Sequence, residues 1–90
     1  MGNQFIKATD STGANIAEGF GRFHYLDKIK FYYNARASLK ESRHWFEIMT
    51  ERKIIDTEIR KQYLKIYSEL SPKLNSFIRA CYRNKAKEKS

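Results

Sequence analysis

STGANIAEGFGR, residues Ser11 to Arg22, decides how the rest of the chain is read. It starts in a helical pattern and closes in a Gly-aromatic-Gly-Arg turn, after which the chain reads as two long helices. Gly13, Ala14 and Ala17 are small, so another backbone can come close there. Ile16 is the one large aliphatic residue, and Asn15 and Glu18 set polar groups on neighbouring faces. Gly19 and Gly21 predict a helix stop, because glycine takes the left-handed conformation of a C-cap without steric cost.

Working outward, residues 4–19 read as a first helix, with Phe5, Ile6, Thr9, Gly13, Ile16 and Ala17 drawing one stripe and Asn3 as the N-cap. Phe20 to Leu26 is the connection. Phe20, Phe23 and Tyr25 are expected to plug the end of a bundle, the alternative being platforms for stacked bases. Asp27 is the expected cap of a second helix over 27–53. There Tyr32, Ala35, Leu39, Ser42, Phe46 and Met49 alternate at threes and fours, flanked by Phe31, Ser38 and Trp45 at sevens. Asp56 or Thr57 caps a third helix over 57–82. Ile59, Tyr63, Ile66, Leu70, Leu74, Phe77 and Cys81 keep the same rhythm, with Tyr67, Ile78 and Tyr82 beside them. Pro72 predicts a bend, with Ser71 as a local recap, and the apolar pattern continues past it. Residues 83–90, RNKAKEKS, read as a solvated basic tail. The expectation is an all-α fold: one domain over 1–82, an antiparallel bundle of three helices corresponding to most of a four-helix bundle.

Ninety residues allow one small domain with a thin stability margin, and thirteen aromatic rings give it core material beyond what a disordered chain carries. No run approaches the length needed to cross a bilayer, and Met1 to Asp10 has no apolar signal core. Cys81 is the only cysteine, which fits a reducing compartment, so a cytoplasmic protein is expected. The net charge of +8 is uneven: zero over residues 1–25, +2 over 26–56 and +6 over 57–90. Positive charge gathered in the last helix favours an anionic partner over uniform solubilising charge.

Three stretches carry a resemblance. GANIAEGFGR (Gly13 to Arg22), KFYYNARASLKE (Lys30 to Glu41) and SPKLNSFIRA (Ser71 to Ala80) are similar to the signature segment, the central helix and the end of the last helix of the 23S rRNA intervening-sequence protein family. The resemblance spans nearly the whole chain from Gln4. It marks Gly13, Ala14, Asn15, Ile16, Ala17, Glu18, Gly19, Gly21 and Arg22 as the signature. It implies a helical bundle, often a homopentameric ring, tied to ribosomal RNA by gene location and to no established reaction. Members resemble one another in a further helix ahead of the signature, where this chain has only Met1 to Thr12. That difference predicts apolar positions such as Ile16, Phe31 and Trp45 left without partners, and hence self-association.

No set of residues points to catalysis. Glu41 and His44 have the spacing of half a di-iron site, but the second half is missing, since Gly21 stands where the glutamate before His24 would be. Cys81 lies on the apolar rhythm, with Arg79 and Arg83 near it in sequence. Gly19 to Arg22 follows a helix where a phosphate cradle would precede one. A non-enzyme without metal or cofactor is expected. The candidates for binding are basic: Arg36, Lys40 and Arg43 on the second helix, then Arg60, Lys61, Lys65, Arg79, Arg83, Lys85, Lys87 and Lys89. On the second helix an ordinary solvated face is favoured, with Glu41 and Glu47 as partners. The last group has one acidic neighbour, Glu88, for five positive charges, the kind of excess that phosphate contacts need. Two readings stay open. One is an oligomeric protein binding RNA through its basic surface; the other is an oligomeric scaffold for a protein partner. Convergence of the bases on one face favours the first, and an open apolar groove favours the second.

Overall fold

The computed structural model describes residues 2–88, which form three helices and no strand: α1 (Gly2–Phe20), α2 (Tyr25–Glu51) and α3 (Thr57–Glu88). The all-α bundle expected from the heptads is the fold. α2 lies in the middle, with an antiparallel neighbour on each side. Along α1 it meets Phe5 with Phe46, Ser11 with Ser38 and Gly19 with Tyr32. Along α3 it meets Tyr63 with Ser42, Asn75 with Arg36 and Tyr82 with Tyr33. α1 and α3 therefore run parallel to each other, in a rod measuring 53 × 21 × 16 Å.

The heptad stripe of α2 is the core: Tyr32, Ala35, Leu39, Ser42 and Phe46 are all buried. Leu74, Ile78 and Cys81 of α3 close over its first half. Over its second half an aromatic cluster does the same, with Phe46 and Tyr63 stacked at 4.1 Å and Phe5 edge-on to Tyr63 at 5.5 Å. Ser42 is tolerated there because its hydroxyl donates to the Leu39 carbonyl at 2.7 Å and accepts from the Tyr63 hydroxyl at 2.7 Å.

α1 differs from its predicted stripe. Its buried residues are Ala8, Thr12 and Gly19, with Phe5 and Ile16 half-buried beside them, while Ile6, Thr9, Gly13 and Ala17 are exposed. Small side chains face α2 because the two helices come close. A Cβ on Gly19 would lie 2.7 Å from Cε1 of Tyr32. The glycines are not left-handed stops either, since no glycine has a positive φ. α1 instead ends at a corner where the Gly21 and Arg22 amides donate to Ala17 and Gly19, and the Lys28 ammonium donates to the Gly19 and Phe20 carbonyls at 3.1 Å each. A cation placed on the last carbonyls of a helix satisfies acceptors that the helix cannot.

Several ends are also displaced from expectation. α1 begins at Gly2, so Asn3 is inside it, and α2 begins at Tyr25, with His24 at the cap position and no side-chain cap bond. Asp27 sits in the first turn, favourable to the dipole but not a cap. α2 closes on Lys53, which carries φ 57, the Lys53 and Ile54 amides donating to Thr50 and Met49. Asp56 does cap α3, its Oδ1 accepting the Glu58 and Ile59 amides at 2.6 and 3.4 Å. α3 passes through Pro72 as one element, Ser71 being an interior residue of it. It also continues through Glu88, so residues 83–88, expected as tail, are helical. Lys85 and Lys87 in the last turn suit the negative end of the dipole, and alanine and lysine are good helix formers.

Between α1 and α3 the bundle stays open. Thr9, Gly13 and Ile16 on one wall and Ile66 and Leu70 on the other border a groove of about 230 Å³ with Leu39 and Ser42 at its floor. Ile66 on its wall is more than half exposed, as are Ile6 and Ile59, one helical turn before the lining residues Thr9 and Tyr63. The residues expected to lack partners are half-buried: Ile16 packs on the core and lines the groove, Phe31 lies under the Arg22 guanidinium at 4.8 Å, and Trp45 has the ring of its chain neighbour His44 beside it.

Candidate nucleic-acid interface

The basic residues singled out in sequence divide into three places. Arg36 and Arg43 tie α2 to α3. Arg36 donates to Oδ1 of Asn75 at 3.1 Å and lies over the Tyr33 ring, while Arg43 pairs with Glu47 at 2.8 Å and lies over Tyr67. The expected pairing with Glu47 is present, and both arginines act as packing residues. Arg43 and Arg60 share a second cleft, of about 280 Å³, but Glu47 and Glu51 line it too and cancel the field a phosphate would need. Lys40, Lys61 and Lys65 are exposed. Lys61 and Arg83, twenty-two residues apart on one helix, are separated by about 33 Å at 1.5 Å per residue, so they do not form one site.

The third place is the end of the rod at the α1–α2 corner. Antiparallel packing puts the last turns of α3 beside the first turns of α2, a register fixed by the Tyr33 and Tyr82 hydroxyls at 3.2 Å. The segments meeting here, residues 19–36 and 74–88, contain Arg22, Lys28, Lys30, Arg36, Arg79, Arg83, Lys85 and Lys87 against two acidic residues, Asp27 and Glu88. Arg22 is held by Glu18 at 2.9 Å, Lys28 by the corner carbonyls, and Arg79 by the Ser76 hydroxyl at 3.1 Å. Lys30 and Arg83 are exposed and Lys85 half-buried, and none of the three makes an ion pair or hydrogen bond among the described residues. Both ion pairs between described residues lie off α3. Lys89 lies outside the described residues.

Sequence reading found the α3 half of this cluster and missed Arg22, Lys28 and Lys30. The signal that could have found them is the antiparallel register, which folds the start of one long helix onto the end of the next. It also misplaced the corner aromatics. Tyr25 packs against the core as a plug, whereas Phe20 is 73% and Phe23 92% exposed. Phe20 ends α1 one position after Gly19, which takes the face toward Tyr32, and Phe23 lies in the turn between the helices.

Other chemistry finds little support in the geometry. Burial pushes the Cys81 thiol above its ordinary pKa, with the nearby Lys28 charge acting the other way, and the side chain sits in the core. Among the described residues no three histidine, cysteine, aspartate or glutamate side chains gather as a metal site would need. No helix of the described residues is long and apolar enough to cross a membrane.

The model of the 23S rRNA-intervening sequence protein family matches residues 1–76 of the chain. The corner bases Arg22, Lys28 and Lys30 fall inside that range, and Arg79 to Lys87 beyond it. No curated protein and no solved structure matches the chain.

Proposed function

The chain belongs to the 23S rRNA-intervening sequence protein family, and on that premise we propose that it is a non-catalytic, self-associating helical protein that binds RNA through the basic end of its bundle. The supporting observation is the excess of basic residues where α2 begins and α3 ends, eight over residues 19–36 and 74–88 against Asp27 and Glu88. An excess of positive charge attracts a polyanion and releases its counterions on contact, and Lys30, Arg83 and Lys85 are the members that make no ion pair or hydrogen bond among the described residues. The family's name makes ribosomal RNA the first RNA to try.

A salt titration tests it. Binding of a ribosomal RNA fragment is measured at several salt concentrations for the unaltered protein and for Lys30→Gln, Arg83→Gln and Lys85→Gln. Each lost phosphate contact reduces the slope of log affinity against log salt by about 0.7 to 0.9. Lys40→Gln and Lys61→Gln, outside the cluster, are expected to change it less. Protein that ignores RNA at low salt, or cluster variants with an unchanged slope, would remove the RNA reading.

The scaffold reading has its own supporting observation, the open apolar groove between α1 and α3. A protein helix laid into it would cover Ile16 and Ile66, and the basic end would then serve solubility.

A further inference from the structure

Phe20, Phe23 and Leu26 are 73%, 92% and 61% exposed, a cluster of large apolar side chains on one corner. A buried aromatic ring removes on the order of 150–250 Å² from water, and the corner forgoes most of that gain twice. Nor is the corner loose. The Gly21 and Arg22 amides, the Lys28 ammonium and the Arg22–Glu18 ion pair fix its backbone. The Lys28 ammonium stands 5.8 Å from the centre of the Phe20 ring. Rings presented to solvent from a fixed corner, at the end of the molecule that carries the free cations, match the way single-stranded nucleic acid is held. Its bases stack on aromatic faces while basic side chains follow its phosphates. A duplex cannot use such rings, because its base faces are covered by one another.

We infer that Phe20 and Phe23 are stacking platforms for unpaired RNA bases, with Lys30 and Arg83 taking the flanking phosphates. The inference rests on the RNA reading and narrows it to single-stranded segments. Charge selects this occupant over an apolar protein surface: a partner covering the corner must also meet Arg22, Lys28 and Lys30, with Asp27 the one acidic side chain of residues 19–36.

The test is fluorescence anisotropy with two labelled RNAs of equal length, an unstructured single strand and a perfect duplex, at fixed low salt. Proteins compared are the unaltered chain, Phe20→Ala, Phe23→Ala and Phe23→Trp, with light scattering on each. Both rings are exposed, so their removal leaves the core intact. Phe23→Ala is expected to weaken single-strand binding roughly five- to a hundred-fold, the size of one lost base stack. Duplex binding and the salt slope stay unchanged, and Phe23→Trp retains affinity. Salt-dependent binding with single-strand affinity untouched in both alanine variants overturns the inference and leaves the RNA reading standing. Equal losses on strand and duplex also overturn it, as does a drop in particle mass on removing Phe23, which makes the corner a protein interface. No binding to either RNA at low salt removes the RNA reading and the inference together.

Discussion

Gly19 and Gly13 lie on one helix and answer to different physics. Gly19 is buried against Tyr32, and an added Cβ would come within 2.7 Å of one ring carbon and 2.9 Å of another. Tyr32 is itself 4% exposed and packed 5.7 Å from the Phe77 ring, so it has little room to withdraw. Gly19→Ala is therefore expected to destabilise the fold by about 1–3 kcal/mol through overpacking, in spite of alanine's helix advantage of about 1 kcal/mol. At Gly13 a Cβ meets nothing within 4 Å. Gly13→Ala is expected to stabilise the isolated chain by about 0.5–1 kcal/mol, and urea midpoints of the two variants should move in opposite directions. Sequence reads Gly13 as the position open to a close neighbour and Gly19 as a helix stop, whereas it is Gly19 that has the neighbour. The large repeating residues of α2 were legible because period and size alone sort them inward. Gly19 and Lys28 were not, because their roles depend on the angle of a corner that no local pattern encodes.

Helices were legible as elements, and their ends were less so. The heptads of α2 and α3 located two long helices, and Asp56 marked the start of the second of them through an ordinary side-chain cap. The end of α2 carries no such mark. Its paired amide bonds, from Lys53 to Thr50 and from Ile54 to Met49, are those of a left-handed helix stop, and that stop is usually built on glycine. Lysine at φ 57 retains a Cβ that opposes this conformation by roughly 1–2 kcal/mol. Lys53→Gly is expected to raise stability by about 1 kcal/mol, less whatever glycine's greater freedom takes back in the unfolded chain. Chemical denaturation checks it, and a lowered midpoint would mean that Lys53 makes a contact outweighing its backbone strain. Beyond Tyr82 the sequence reads as polar, and polarity alone predicts the end of the helix there. Helix propensity and the dipole carry α3 onward with no apolar residue needed, which is why composition alone misled there.

At the scale of the molecule, the basic cluster and the apolar groove occupy different places. α1 has one lysine, Lys7, against Asp10 and Glu18, so it is slightly negative in a chain of net +8. The groove it shares with α3 is lined mainly by apolar and small residues, and the basic cluster stands at the end of the rod. Two like-charged copies repel least when they approach along α1. Exposed apolar patches of this kind mark interfaces in small proteins, and a ninety-residue chain gains proportionately more than a large one from covering such a patch. Association through the groove is therefore expected at micromolar concentration, with a scattering mass above the 10.7 kDa of one chain. Ile66 is 58% exposed and belongs to the groove wall. Ile66→Asp is expected to change the stability of one copy by no more than about 0.5 kcal/mol, as for other exposed sites, while returning the mass to that of a monomer. Unfolding temperature should rise with protein concentration before the substitution and become independent of it afterwards, because only binding to the folded state couples stability to concentration. A stable monomer in the unaltered protein would sink self-association. An unchanged oligomer in Ile66→Asp would move its interface away from the groove, with the exposed Phe20 and Phe23 corner the next surface to test.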